Sequence, residues 1–162
     1  MTQTRKTTEA VPVEVVIEIP RGSFLKRGSS GRLDFVSPLP CPFNYGSVHA
    51  YLGLDDDYLD AVVLGPRLAP GSRVTVTAVG AIGLVDRGIY DDKLICSSDT
   101  VSPNKMALIQ GFFVIYALAK RLLNIWRQRP GPTYCAGWSD ASAAIARSRP
   151  CRGVSPAPRV PF

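Results

Sequence analysis

Histidine is almost missing from this chain: His49 is the only one in 162 residues. It has no cysteine or histidine neighbour in sequence, so an imidazole-based metal site is not expected. The four cysteines, Cys41, Cys96, Cys135 and Cys151, are too far apart for a zinc motif of the CxxC type. A domain of this length needs no disulfide staples, so they read as reduced thiols. No run of about 18 apolar residues exists, and no transmembrane span is expected. The longest apolar stretch, residues 106–119, is interrupted by Gln110 and Gly111. Residues 1–11 are polar and lack a segment of signal-peptide type, which makes a cytoplasmic protein the default expectation. Internal repeats are also absent.

What remains is ordinary for one globular domain, with 46% apolar and 20% charged residues. Of the net charge of +6, +5 sits at the ends of the chain. Arg5, Lys6 and Glu9 leave the first residues basic, and Arg147, Arg149, Arg152 and Arg159 do the same for residues 146–162. The middle of the chain is near neutral. Such tails can meet nucleic acid or anionic lipid, but a solvated tail is the simpler reading.

Taken in order, residues 11–20 (VPVEVVIEIP) read as a strand, with Val13, Val15, Ile17 and Ile19 on one face. Residues 24–26 and 32–36 suit two further short strands around a turn at 28–31. Three prolines in residues 37–43 make a stiff extended connection. Asn44-Tyr45-Gly46 reads as a turn, and 60–64 and 73–79 as strands. Residues 80–85 suit a bent strand at a barrel corner. Residues 86–92 read as an acidic loop with a strand, 93–96, behind it.

Residues 100–105 read as a linker. From Met106 the apolar period changes to that of a helix, with Leu108, Phe112, Ile115, Leu118 and Leu122 on one stripe as far as about residue 127. Pro130-Gly131-Pro132 ends it. Residues 138–147 suit a second helix capped by Ser139 or Asp140. The expected organisation is a tail at 1–10, one domain at 11–147 and a disordered basic tail at 148–162. Short strands followed by one long and one short helix suit a mainly-β domain: a small closed barrel with helices packed on it.

The chemistry lies in two acidic segments. Asp55, Asp56, Asp57 and Asp60 crowd six residues directly before an apolar strand, and Asp86 and Asp91 flank the second segment. Alone, the first reads equally as a solvated turn or as a metal site. If the two strands are neighbours, Asp55, Asp57, Asp60, Asp86 and Asp91 converge on one end of the barrel. So much negative charge in a cleft calls for cations. Hard divalent ions such as magnesium take oxygen ligands, and paired ions suit phosphoryl chemistry, with a free carboxylate as base. Lys26, Tyr45 and Lys93 stand near turns from which a phosphate could be reached.

In this order and spacing, Ile17-Glu18-Ile19-Pro20, Lys26, Asn44-Tyr45-Gly46, Asp55-x-Asp57-x-Leu59-Asp60 and Asp86-x4-Asp91-x-Lys93 form a distinctive set. Phe112-Phe113-x-x-Tyr116 and Gly137-Trp138 extend it. The chain resembles the soluble, magnesium-dependent inorganic pyrophosphatases over residues 15–138. The resemblance implies a five-stranded barrel related to the OB-fold, and hydrolysis of magnesium pyrophosphate to two orthophosphates. It implies Asp55, Asp60 and Asp91 as metal ligands, with Asp86 sharing a substrate-associated ion and Glu18 acting through bound waters. Asp57 would be the general base, and Lys26, Tyr45, Lys93 and Tyr116 would bind phosphate. A homo-oligomer is implied as well, and neither a membrane nor a nucleic-acid partner.

Several family positions differ. Asp56 and Tyr58 stand where a small residue or asparagine and a proline are usual, and Gly28 where a glutamate is frequent. Ser37-Pro38 takes the place of an expected arginine, and Ala117 that of a lysine after Tyr116. Lys120, one helical turn beyond Tyr116, is the candidate substitute for that lysine. Two other readings compete: a catalytically weak relative that lacks phosphate-binding cations, and an OB-type nucleic-acid module. The acidic loops would repel the phosphate backbone that the second requires.

Overall fold

The computed structural model describes residues 10–27, 33–36 and 40–152, with 25–27 and 33–36 described at the level of the backbone. Its strands are β1 (Val11–Ile19), β2 (Leu25–Arg27), β3 (Leu33–Val36), β4 (Asn44–Leu52), β5 (Tyr58–Val63), β6 (Arg73–Asp86) and β7 (Ile89–Cys96). Helix α1 (Pro103–Trp126), β8 (Tyr134–Ser139), α2 (Ala141–Arg147) and β9 (Arg149–Pro150) follow. Strands β1, β4, β5, β7 and β6 pair in that order, and β6 pairs back onto β1. This closed ring of five strands with two helices is the small closed architecture expected from the sequence. The β5–β7 pair is parallel, and the other pairs in the ring are antiparallel. Strand β8 extends β6 outside the ring, and β2 and β3 form a separate hairpin.

Alternation along the strands sorts side chains into two apolar layers. Val13, Val15, Ile17, Val48, Leu59, Ala61, Val63, Leu94 and Cys96 fill the ring, closed at one end by Ala141 and Ala144 of α2. The opposite faces contribute Val62, Ile82, Leu84 and Ile95 to a second layer, covered by Ile109, Phe113 and Ala117 of α1. Each fully buried valine, isoleucine or phenylalanine contributes about 1.5–3 kcal/mol of transfer free energy. Strand β6 serves both neighbours by bending: its register against β7 shifts between Ala78 and Gly80. The shift falls at the front edge of the stretch 80–85, where a bent strand is expected, and 80–85 itself pairs with β7 in regular register. A Cβ on Gly80 would stand 2.9 Å from the Trp138 ring.

Four sequence expectations are corrected. Asn44-Tyr45-Gly46 is the start of β4, not a turn. Asn44 is fully buried, where its side chain accepts from the Arg21 and Leu68 amides (3.0 and 2.8 Å) and donates to the Val63 and Pro66 carbonyls (3.3 and 2.8 Å). A residue common in turns is used here as a buried four-bond bracket. The acidic segment 86–92 is a two-residue turn, Arg87 and Gly88 at φ 51° and 84°, so Asp91 and Asp92 lie within β7. The linker at 100–105 is already helix from Pro103, because Ser102 caps it by accepting from the Lys105 amide at 3.3 Å. Trp138 and Ser139 belong to β8, and α2 starts only after Asp140.

The long helix also differs from its sequence pattern. Its packed residues are Ile109, Phe113 and Ala117, while Leu108, Ile115, Leu118 and Leu122 on the expected stripe are 55–68% exposed. By length and composition alone α1 is apolar enough to cross a membrane, with a mean hydropathy of 1.5 over its most apolar window. Gln110 and Gly111 interrupt the apolar run without lowering that average enough. The chain end differs too. Residues 148–152 are described, and β9 pairs with β4 through Tyr51–Pro150 and Leu52–Arg149. The expected turn at 28–31, Ser37-Pro38, and the tails at 1–9 and 153–162 lie outside the described residues.

Gly46 is the tightest point of the ring. A Cβ there would lie 2.0 Å from the Val16 carbonyl oxygen, backbone that cannot swing away. Gly46→Ala is therefore expected to cost about 3 kcal/mol or more, or to prevent folding. Urea unfolding of the two proteins measures this, and equal midpoints would contradict the assigned β1–β4 contact.

Candidate active site

The outer face of the ring changes from apolar to ionic along one row. In β5, Leu59, Ala61 and Val63 fill the ring, so Asp60 and Val62 face outward beside Ser47 and Tyr45 of β4. The parallel register sets Asp60 opposite Lys93, and Asp91 lies two residues from Lys93 on the same face of β7. The Lys93 ammonium sits between these carboxylates, bonded to Asp60 Oδ2 and 2.5 Å from Asp91 Oδ2. Its side chain is 5% exposed. Its nitrogen also stands 5.9 Å from the centroid of the Tyr45 ring.

This setting explains the proton affinities. Burial opposes the charge on Lys93, but Asp60 and Asp91 outweigh it and raise its pKa well above the ordinary lysine value. Asp91 is pushed up to about 6, first by burial and then by the neighbouring charges of Asp60 and Asp55, against the pull of Lys93. The Tyr45 phenol is raised well above its usual value by burial and then by Asp60. Two carboxylates therefore share one ammonium, Asp55 adds its charge to Asp91, and the row is left negative.

The other candidates surround this row. Glu18 is buried on β1, where the Ser47 hydroxyl donates to its Oε1 at 2.7 Å. Asp55 and Asp57 lie in a compact turn: the Asp57 amide donates to Asp55 Oδ1 at 3.2 Å, and the Tyr58 amide to Asp57 Oδ1 at 2.9 Å. Lys26 is placed on β2 by its pairing with Phe35. Tyr116 of α1 is 40% exposed and packs beside Phe112 and Phe113, with ring centroids 6.4 and 6.2 Å away.

Asp86 belongs to a second cluster, toward the far end of α1. Lys120 reaches Asp86 Oδ2 at 2.8 Å, the Asn124 amide donates to Oδ1 at 2.9 Å, and the Thr133 hydroxyl lies at 3.5 Å. Burial acts to raise the Asp86 pKa, and Lys120 with Asn124 overcomes it and leaves it lowered. Lys120 stands 6.0 Å from the Tyr116 ring centroid and so links the two clusters.

Sequence reasoning missed the supports. Ser47 under Glu18 carries no local signal. Asn124 lies one helical turn beyond Lys120, and that spacing would have found it. Arg147, expected only as the end of the second helix and as part of the basic end charge, makes a two-pronged ion pair at 2.9 and 2.8 Å with Asp92, behind Asp91 and Lys93. Asp56 faces solvent, at φ 64°, and pairs there with Arg149 of β9. Tyr58, in the unusual position, stacks on His49 with centroids 4.1 Å apart.

The row fits a hard divalent cation by its oxygen-only donors and its uncompensated charge. In the arrangement described, Lys93 occupies the space between Asp60 and Asp91, and among the described residues no three potential ligands enclose one point. Entry of an ion therefore requires this ammonium to yield. The raised Asp91 also has a thermodynamic consequence. The folded chain binds a proton there that the unfolded chain releases between pH 3.8 and about 6. Its stabilising contribution is present below that window and is lost as pH rises through it, leaving a cost above about 6. Asp91→Asn is expected to raise the melting temperature of the metal-free protein by roughly 3–6 °C at pH 8 and by nothing near pH 4. Thermal melts in chelator test this, and a variant that melts lower at pH 8 would contradict the charge balance described.

Comparison with known proteins places this geometry. A family model of inorganic pyrophosphatase matches residues 15–117. The chain is similar to the inorganic pyrophosphatase of Streptomyces coelicolor, with 34% identity over 155 residues, 83% of this chain and 92% of that one. It is 36% identical over 100 residues to that of Gluconobacter oxydans, covering 56% of this chain. That match spans 58% of the Gluconobacter protein, and those to the plant relatives span similar shares. The crystal structure of inorganic pyrophosphatase from Thermus thermophilus superposes with a TM-score of 0.66 at 28% identity, covering 91% of each chain. Family model, full-length sequence likeness and shared fold agree, and the chain belongs to the inorganic pyrophosphatase family.

Proposed function

We propose that the protein hydrolyses inorganic pyrophosphate to two orthophosphates, as an inorganic diphosphatase using magnesium. The observation that carries this is the row on β5 and β7, where Asp60 and Asp91 share the charge of Lys93 next to Tyr45 and Asp55, in the turn before β5, adds its charge to Asp91. The family uses divalent metal ions, and magnesium suits a site built only from oxygen donors. Asp55, Asp60 and Asp91 would hold the ions, Asp86 would share one of them, and Glu18 would act through bound waters. Bound there, the ions supply Lewis-acid polarisation of phosphate oxygens and a water of lowered pKa.

The chain's own groups do the rest. Asp57, at the rim of its turn, takes the proton from the attacking water. The bond from that water's oxygen to one phosphorus forms as the bond from phosphorus to the bridging oxygen breaks. Lys93, Tyr45, Tyr116 and Lys26 bind the phosphates, and Lys120 joins them from α1 in place of the lysine that Ala117 replaces. Proximity of Lys120 to both Tyr116 and Asp86 supports that role. The acidity of the row disfavours a nucleic-acid-binding module, whose ligand it would repel. We take residues 11–147, with the β9 segment, as the catalytic unit of a soluble, cytoplasmic homo-oligomer.

Orthophosphate release from pyrophosphate tests the reading. Release should require magnesium, and Asp57→Asn should lower kcat by about 100-fold or more. Lys120→Ala should raise the KM for magnesium pyrophosphate with a smaller effect on kcat. No magnesium-dependent release would refute the function, and an unchanged KM would remove Lys120 from the substrate set.

A further inference from the structure

The outward face of β4 and β5 does not end at Asp60. The alternation that turns Ser47 and Asp60 outward carries on to His49 in β4 and Tyr58 in β5. There the two rings stack, with centroids 4.1 Å apart and planes 16° from parallel. Past Val48 the β4–β5 register shifts, so that Tyr58 pairs with Leu52, and His49 is the first residue inside that irregularity.

The turn before Tyr58 has little else to hold it. Leu54, Asp55 and Asp56 are exposed, and Leu54 is the only apolar side chain of residues 53–57. The backbone bonds of the turn are short-range: the Gly53 amide donates to the Asp57 carbonyl at 2.8 Å, and the Asp56 amide to the Gly53 carbonyl at 3.2 Å. The ion pair of Asp56 with Arg149 is open to solvent on both sides, and such pairs contribute little. The first packed ring after the turn is therefore that of Tyr58. Its amide also reaches back, donating to Asp57 Oδ1 at 2.9 Å.

We propose that His49 and Tyr58 are positioning residues for the proton acceptor: the stacked rings clamp the end of the 53–57 turn, and the Tyr58 amide sets the rotation of the Asp57 carboxylate. The inference rests on the reading of Asp57 as the general base and adds the groups that place it.

His49 suits stacking better than proton transfer. Its Nε2 is buried and has no hydrogen-bond partner among the described residues. Burial, and then the charge of Arg73, lowers its pKa against the pull of Glu14, which favours the uncharged ring. A buried nitrogen without a partner is destabilising, and holding the ring flat against Tyr58 accounts for its tolerance. Stacked aromatic pairs fix the orientation of both rings. Tyr58 is joined directly to Asp57, so an orientation fixed at the ring is passed to the carboxylate through one peptide unit. Placement matters to a base, because a displacement of about 1 Å can cost on the order of 100-fold in rate.

Kinetics and nuclear magnetic resonance on the full chain test the proposal. Tyr58→Ala and His49→Ala should each lower kcat about tenfold, with the KM for magnesium pyrophosphate within about twofold of wild type. Tyr58→Phe, which keeps ring and amide, should retain the wild-type kcat. The double variant His49→Ala/Tyr58→Ala should be no slower than either single variant. In an Asp57→Asn background, Tyr58→Ala should change nothing further, because the clamp acts only through that carboxylate. A merely structural loss would lower kcat there again.

The spectra need no turnover. In the metal-free, untagged protein the ring protons of His49, the only histidine, should resonate upfield of those of free histidine, and return there in Tyr58→Ala. Backbone order parameters at residues 55–57 should fall from the rigid value of about 0.85 in both alanine variants. If Tyr58→Ala fails to fold, His49→Ala decides. A wild-type kcat in His49→Ala, an equal loss in the Asp57→Asn background, or unshifted His49 signals in the wild type would overturn the proposal. If Asp57→Asn keeps the wild-type kcat, the base assignment fails and the clamp with it. If Asp57→Asn loses activity while Tyr58→Ala and His49→Ala do not, the clamp alone fails.

Discussion

One buried ammonium organises the site. Lys93 is held between Asp60 and Asp91 on the outer face of the ring, with 5% of its side chain exposed. A lysine buried this deeply keeps its proton only if carboxylates meet it at close range. The arrangement therefore depends on register. Asp60 faces Lys93 because β5 and β7 run parallel in one registration, and a slip of one residue would turn Asp60 into the apolar interior. Ring closure through β1 and β6 fixes that registration, and the contact at Gly46 fixes β1 against β4.

The division of each strand into two faces follows from the same register. One face fills the ring with valine, isoleucine, leucine and alanine. The other carries apolar residues under α1 and then, along the same strands, the ionic row. Supports reach the row and the Asp86 cluster from elements that hold no candidate metal ligand. Ser47 braces Glu18, Arg147 of α2 braces Asp92 next to Asp91 and Lys93, and Asn124 of α1 braces Asp86. The cost is an excess of carboxylate that the chain alone does not neutralise, as the raised Asp91 records.

Much of this was legible in the sequence where pattern and chemistry coincide. Strict alternation announced β1 and the first half of β6, and the spacing of Asp55, Asp60, Asp91 and Lys93 announced the row. The misreadings share a cause: tertiary contacts overrode a local preference. Asn44 looks like a turn residue because its side chain competes for backbone bonds, and here it satisfies those bonds deep in the fold. Asp91 looked like a loop residue because acidic residues are rarely buried, yet it lies in a strand beside its ammonium. The apolar stripe on α1 marks a helix, but the packed face is the one with Ile109, Phe113 and Ala117, because amphipathic patterning cannot say which of two apolar faces meets its own domain. Arg147 reads only as the end of the second helix and part of the basic end charge, because nothing local couples it to Asp92, 55 residues away.

The row on β5 and β7 keeps negative charge that Lys93 alone does not compensate and that a divalent cation would. Calorimetric titration of the metal-free protein with magnesium, at neutral pH and without substrate, measures this. Magnesium should bind, and its tightest phase should be lost in Asp60→Asn while the variant remains folded. No binding by the folded wild type, or binding that Asp60→Asn leaves unchanged, would contradict it.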